Sequence, residues 1–427
     1  MQALSDPNQV VVLQTAPSAR VTISEMFGGA PGACSQGQLV GAAKASGFDY
    51  VFDTLVGADL TIMEEAHELL QRIEIDLHGT VEEKNKMPLP MFTSCCPGWI
   101  NLVEQSYPQL IPHLSTCRSP MGMLSRLIRE VWWPKQEQAR QRATGEVDQS
   151  NLYVVAVMPC TAKKDEIARP QLQMPDGTPE TNAVLTVREF ARLLELKGAA
   201  KRKDPESFAN IVRAEYDNPF GDSTGAAAIF GVTGGVAEAA LRTAADVLTG
   251  QSLSNVTYET VRGLSGIKEA TISLTRSAEN DSIDLNLAVC NQMANVKQFL
   301  AQMEDGNREG YQFVEVMTCP GGCVGGGGLP QSRDPEIISK RVAGMYSIDE
   351  RKVKRKSHES EDVKRLYENV LGSPLSDISR KFLHTNYTPR RRKVRKDIAR
   401  FPDNIVSTLY SILTSSFAYL YSTASAA

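Results

Sequence analysis

FVEVMTCPGGCVGGGG, residues 313–328, decides how the chain is read. A β-rich run, 313–316, ends just before two cysteines four positions apart, Cys319 and Cys323, with Pro320-Gly321-Gly322 between them. Backbone with so few side chains can fold tightly around a bulky inorganic group and free its amides to bond sulfur. The same punctuation recurs twice upstream. MFTSCCPGW, residues 91–99, runs from apolar residues into two adjacent thiols and a Pro-Gly turn. VMPCTAKKDE, residues 157–166, again feeds one cysteine at a turn, followed by two lysines and two acids. In open α/β sheets, ligands sit beyond the carboxyl ends of the strands. Cys96, Cys160, Cys319 and Cys323, arriving at such ends, can converge on one group.

Outward from these motifs, short β-rich runs at 19–24, 50–51, 89–92, 152–157, 182–185, 285–289 and 313–316 alternate with helical periodicity. Apolar residues recur near i, i+3, i+4 over 38–46, 61–74, 121–130, 187–196, 234–248, 295–303 and 361–370. This alternation predicts an α/β fold. Residues 131–150 and 199–209 are polar and read as surface connections. Residues 388–400 read as a solvated basic segment, and 401–427 as one amphipathic helix. No repeat of 20–50 residues is present.

The 427 residues suffice for two or three lobes, and 42% hydrophobic with 22% charged residues suits a globular protein. No apolar run reaches membrane-spanning length, and residues 1–18 lack the basic start and apolar core of a secretory signal. The net charge of −4 is uneven. Residues 388–427 carry seven basic residues against two acids, leaving −9 on the rest. An acidic body with a basic tail argues against nucleic acid as a partner.

Eight cysteines could form disulfides, but a large chain without a secretory signal that groups thiols in Gly/Pro-rich turns points to metal or redox chemistry. Four thiolates suit a cubane iron–sulfur centre. They also suit structural zinc, although zinc sites normally come as two close pairs, and here Cys96 and Cys160 stand apart.

Taken together, TSCCPGW, MPCTAKKDE and EVMTCPGGC resemble the three signature segments of [FeFe]-hydrogenases. The resemblance spans roughly 15–387 and includes DNPFGDSTGAAAIFGVTGGVAEAALRTA, VRGLSGIKEA, RKSHE and FLHTNY. The CVGGGG ending is similar to the compact green-algal enzymes, and no C-x2-C-x2-C-x3-C run is present, so no accessory clusters are expected. The resemblance implies an H-domain of two lobes over 1–387. Each lobe has a small parallel or mixed sheet flanked by helices, with the H-cluster in the cleft between them and 388–427 as a tail.

It also implies site roles. Cys96, Cys160, Cys319 and Cys323 hold the [4Fe–4S] part, and Cys323 bridges to a di-iron subsite bearing CO, cyanide and azadithiolate. Cys95 passes protons to the dithiolate amine. TIMEEAHELLQR is similar to the proton-path helix, with Glu65, Glu68 and Arg72 at i, i+3 and i+7 on one face, and Ser115 matches the serine of that relay. Pro17 and Ser18 face one cyanide and Lys163 the other, with Glu166 pairing in that site. Met158 and Met317 form an apolar wall. All five histidines read as structural. Two positions depart from the pattern near the site: Met121, where glutamine is usual, and Leu329, in GGGLP rather than GGGQP.

The implied activity is reversible proton reduction to H2 with electrons from reduced ferredoxin, in a monomer that depends on maturation proteins. The implied location is soluble: the plastid stroma if the host is algal, otherwise the cytoplasm or hydrogenosome. The alternative is a hydrogenase-like iron–sulfur assembly scaffold without the di-iron subsite. Such scaffolds generally lose the doubled cysteine and the MPC-x-x-K segment, and this chain keeps both.

Overall fold

Among the described residues eight strands form two four-stranded sheets, and the reason lies in two kinds of apolar pattern. The computed structural model describes residues 1–144, 150–254, 257–275, 282–332, 334 and 336–390. The continuous run at 10–13 lies within β1 (Gln9–Thr15), and 152–157 within β4 (Asn151–Met158). Strands without polar alternation are buried on both faces, as parallel strands require. With β2 (Tyr50–Asp53) and β5 (Ala183–Thr186) they form an all-parallel sheet in the order β2-β1-β4-β5. Its register sets Thr15 between Asp53 and Val157, so β1 and β2 end level and β4 runs one residue further.

The second sheet has the order β3-β8-β7-β6, from β3 (Met91–Phe92), β6 (Ile267–Thr275), β7 (Ser282–Asn291) and β8 (Phe313–Met317). It is mixed: β6 and β7 run antiparallel, and the other pairs run parallel.

Each sheet is covered on both faces, giving two α/β lobes. In the first, Leu39 and Val40 of α1 (Gln36–Ala45) pack with Phe190 and Leu194 on one side. Val56 and Leu60 of α2 (Thr54–His78) pack with Leu124 and Leu127 on the other. In the second, Leu69 and Ile73 of the same α2 join Leu241 on one face, while Trp99, Val103 and Phe299 fill the other. The 25-residue α2 therefore crosses from one lobe to the other. Asp53 starts it: its carboxylate accepts from Leu55 N at 3.0 Å while pairing with buried Arg20 at 2.6 Å.

Several readings need correction. Residues 19–24 are not a strand; 3-10 turns occupy Pro17–Val21 and Ser24–Phe27, and the true strand lies upstream in β1. ARVTIS has β-type residues, but Pro17 opens a local turn, and Arg20 must stay buried beside Asp53. The strand β6 was not anticipated. Helix α2 is longer than 61–74 at both ends, and the connection 131–150 holds a helix, Trp133–Thr144. The helix read at 361–370 becomes π-helical over Tyr367–Leu371. Of the tail, 391–427 lies outside the described residues.

Candidate metal centre

The carboxyl ends of five strands meet at one cavity. β1 delivers Pro17 and Ser18, β2 Thr54, β3 Cys95 and Cys96, β4 Met158 and Cys160, and β8 Met317, Cys319 and Cys323. The strand-then-cysteine pattern thus converges from both sheets. All eight cysteines are free thiols.

Local backbone explains the convergence at the third motif. Gly321 and Gly322 take φ of +70° and +90°, and a Cβ on Gly322 would stand 2.6 Å from Met317 Sδ and 2.8 Å from Thr233 N. Only glycine fits there. The tight turn brings Cys319 and Cys323 to the same cavity. Cys96 Sγ lies 3.3 Å from Thr318 Oγ1.

Around the thiols the wall is mostly apolar, and its polar groups are aimed differently. Ser18 Oγ is buried without a hydrogen-bond partner among the described residues. Lys163 Nζ pairs with Glu166 Oε2 at 2.6 Å and stands 3.5 Å from the Cys95 carbonyl. Burial works against the lysine charge, but Glu166 outweighs it and holds the ammonium above its ordinary value. Burial pushes the Cys95 thiol well above its usual range, so it stays protonated. Met121 and Met158 line the same cavity and are 2% and 3% exposed.

The donor set fits an iron–sulfur group bound by Cys96, Cys160, Cys319 and Cys323. Four thiols, a glycine cradle, an unpartnered buried hydroxyl and a buried ammonium surround a space no side chain fills. Thiolate ligands select soft metals.

Behind Cys95, α2 carries a buried polar chain. Glu68 Oε2 accepts from Ser115 Oγ at 3.1 Å, and Arg72 Nη2 donates to Glu68 Oε1 at 2.8 Å. Neither oxygen of Glu65 has a hydrogen-bond partner among the described residues. Burial first, and then the Glu68 charge, pushes Glu65 up to about 8; Ser115 and the Ser94 backbone pull the other way without bonds of standard geometry. The structure therefore joins Glu68, Arg72 and Ser115 and leaves Glu65 one bond short of them.

Sequence reasoning passed over Glu64 and Thr116 and read His384 as structural. His384 Nε2 lies 2.9 Å from Glu64 Oε2, and its Nδ1 lies 2.7 Å from Thr116 Oγ1. The signal was present: Glu64 precedes Glu68 by four positions, on the same helical face.

Two α/β lobes joined by one long helix, with a thiol-lined cavity at their strand ends, define an iron–sulfur protein of the hydrogenase type. Residues 9–327 match the family described as iron only hydrogenase large subunit, C-terminal domain, and 335–390 match iron hydrogenase small subunit. The chain belongs to the iron-only hydrogenase family. It is 41% identical over 393 residues to NADP-reducing hydrogenase subunit HndD of Solidesulfovibrio fructosivorans, covering 92% of this chain and 62% of that protein. It is 39% identical over 392 residues to iron hydrogenase 1 of Clostridium pasteurianum, covering 90% and 62%. The chain thus spans under two thirds of the length of these relatives. A structure of [FeFe]-hydrogenase HydA1 from Chlamydomonas reinhardtii superposes with a TM-score of 0.76 at 38% identity, covering 92% of this chain and 99% of that one. Protein NAR1 of Arabidopsis thaliana is 28% identical over 415 residues, covering 93% and 82%. Among the described residues, no helix is long and apolar enough to cross a membrane.

Proposed function

We propose that the chain is an [FeFe]-hydrogenase that interconverts two protons and two electrons with H2, ferredoxin being the electron partner and maturation proteins supplying the di-iron unit. The observation that carries this reading is a fifth thiol, Cys95, in the same cavity as the four ligand cysteines and backed by buried carboxylates. A scaffold that only holds a cubane needs four thiols and no proton donor.

The H-cluster, when bound, supplies the electrons and the open metal site at which protons are reduced. Cys96, Cys160, Cys319 and Cys323 would hold its cubane, with Cys323 shared with the di-iron unit. Pro17, Ser18 and Lys163 would face its cyanides, the ammonium and the free hydroxyl both being donors to an anion. Met158 and Met317 exclude water. Cys95 Sγ keeps its proton at neutral pH because burial disfavours the thiolate, and it presents that proton to the cavity. Glu65, neutral for the same reason, can replace it, and Ser115 and Glu68 refill Glu65 through the bonded part of the chain. Arg72 holds Glu68 in place.

The test is Cys95→Ala in matured protein. Infrared CO and cyanide bands should remain, while H2 turnover falls at least ~100-fold, the low end of what a positioned acid–base group contributes. Absence of those bands from fully matured wild-type protein would instead favour the scaffold reading, which the 28% identity to Protein NAR1 keeps in view.

A further inference from the structure

Glu68 has more hydrogen-bond donors than the relay requires. Besides Arg72 and Ser115, it accepts from Thr116 N at 3.0 Å and from Thr116 Oγ1 at 3.1 Å, both at Oε2. The same hydroxyl stands 2.7 Å from His384 Nδ1. A threonine hydroxyl carries one hydrogen, and this one has two neighbours able to accept it.

The state of the ring decides between them. His384 Nε2 faces Glu64 Oε2 at 2.9 Å, and Glu64 is otherwise satisfied by Tyr367 OH at 2.6 Å, Ser379 Oγ at 2.5 Å and Leu375 N at 2.9 Å. Burial would raise Glu64, but bonds from His384, Ser379 and Tyr367 outweigh it and hold it below the ordinary carboxylate value. It is a fixed anion against Nε2–H. When His384 is neutral, with its hydrogen on Nε2, Nδ1 accepts the Thr116 hydrogen and Glu68 loses a donor. When His384 is charged, Nδ1–H donates to the Thr116 oxygen, and the hydroxyl hydrogen turns to Glu68.

We infer that Thr116 and His384 form a side arm of the proton relay, in which the proton on His384 sets whether Thr116 donates to Glu68 and hence how firmly Glu68 holds its negative charge. This rests on the reading of Glu68 as a relay carboxylate. Both are positioning residues. The ionisable groups facing Glu68 are Arg72, Glu65 and Glu64 from α2, His384 through Thr116, and Cys117, whose Sγ lies 3.9 Å away. Those facing the His384 ring are Glu64 with Tyr367 behind it, and Glu68 and Cys117, each within 4.8 Å; Arg118 bonds only the His384 carbonyl. Glu68, Cys117 and His384 bring ligand atoms within 4.8 Å of one another, but Arg72 already neutralises Glu68, which disfavours a cation there.

The experiment is an infrared titration of matured protein across pH, with the Glu68 carboxylate bands assigned by subtraction of Glu68→Gln. In the wild type these bands should shift in step with protonation of the His384 ring, the latter assigned by His384→Gln. Thr116→Val should abolish the step, and Thr116→Ser should restore it. His384→Gln should leave the Glu68 bands without that step, which keeps the test open if Thr116→Val does not fold. A step that survives in Thr116→Val or in His384→Gln overturns the side arm. No turnover is needed, so the two readings fail separately. Coupled bands in a protein without CO and cyanide bands would count against the hydrogenase reading alone, and uncoupled bands in an active enzyme against the side arm alone.

Discussion

Glu65 is a carboxylate with no hydrogen-bond partner among the described residues, and burial lifts it to about 8 from an ordinary 4.5. The folded protein therefore binds a proton there that the unfolded chain releases above pH 4.5. Stability from this group is full below that pH and is lost as pH rises toward 8. Glu65→Gln removes the dependence. We expect urea midpoints of the variant and wild type to converge near pH 5 and the variant to gain, on the order of a few kcal/mol, by pH 8.5. Parallel pH profiles would mean that Glu65 is solvated or bonded after all. Met121, read from the sequence as standing where glutamine is usual, is a buried residue of the cavity wall. A thioether cannot donate, whereas a glutamine amide can. Met121→Gln should therefore move the CO bands and change the ratio of H2 production to uptake by up to about tenfold, the worth of one hydrogen bond on the order of 1 kcal/mol. Unmoved bands would show that the added amide points away from the cavity.

Elements were legible where the sequence carried their physical cause locally. Each cysteine motif declared its strand and turn, and all three reach the cavity as expected. The apolar run 10–13 was passed over although it is the same continuous kind as 152–157, which was read; both belong to strands buried on both faces. The run 19–24 misled because β-branched residues can serve a turn when a buried ion pair such as Arg20–Asp53 demands it. Strand β6 pairs with β7, the next strand in the chain, but its own residues mix Lys, Glu and Thr with Ile and Leu, which blurred its pattern. The partners of Glu68 were partly hidden too, since His384 comes 268 residues after Thr116. The turn at 321–322 was legible, and its geometry sets a cost. Gly322 has φ +90° and ψ −151°, a region essentially reserved for glycine, with Met317 Sδ and Thr233 N where a methyl would go. Gly322→Ala should destabilise the protein by about 3 kcal/mol and lower iron bound per chain, because the turn carries both Cys319 and Cys323. Thermal unfolding with iron assay checks this; wild-type values for both would mean that the turn relaxes freely.

At the scale of the whole molecule, charge separates the chain into an acidic body and a basic end, with residues 390–400 holding all seven basic residues of the tail. The cavity, its cysteines and the relay are all built by residues up to Tyr387, so removal of the tail should spare the chemistry. The point of the cut matters. Thr388 N donates to Glu104 Oε1 at 3.3 Å, and the same oxygen pairs with buried Arg169 at 2.9 Å. A chain ending at Tyr387 loses that bond, whereas one ending at Arg390 keeps it. Truncation after Arg390 should therefore leave iron content and H2 evolution from an artificial donor within about twofold of the full chain. Turnover driven by the proposed partner, ferredoxin, is a different matter, because a basic segment would attract an acidic electron donor through solvent. Such attraction acts mainly on encounter and is screened over a Debye length of about 8 Å at physiological salt. If the tail guides docking, raising salt should slow the full chain more steeply than the truncated one, with the two rates converging at high salt. Identical salt curves would remove the tail from docking and leave that role to the surface of the body.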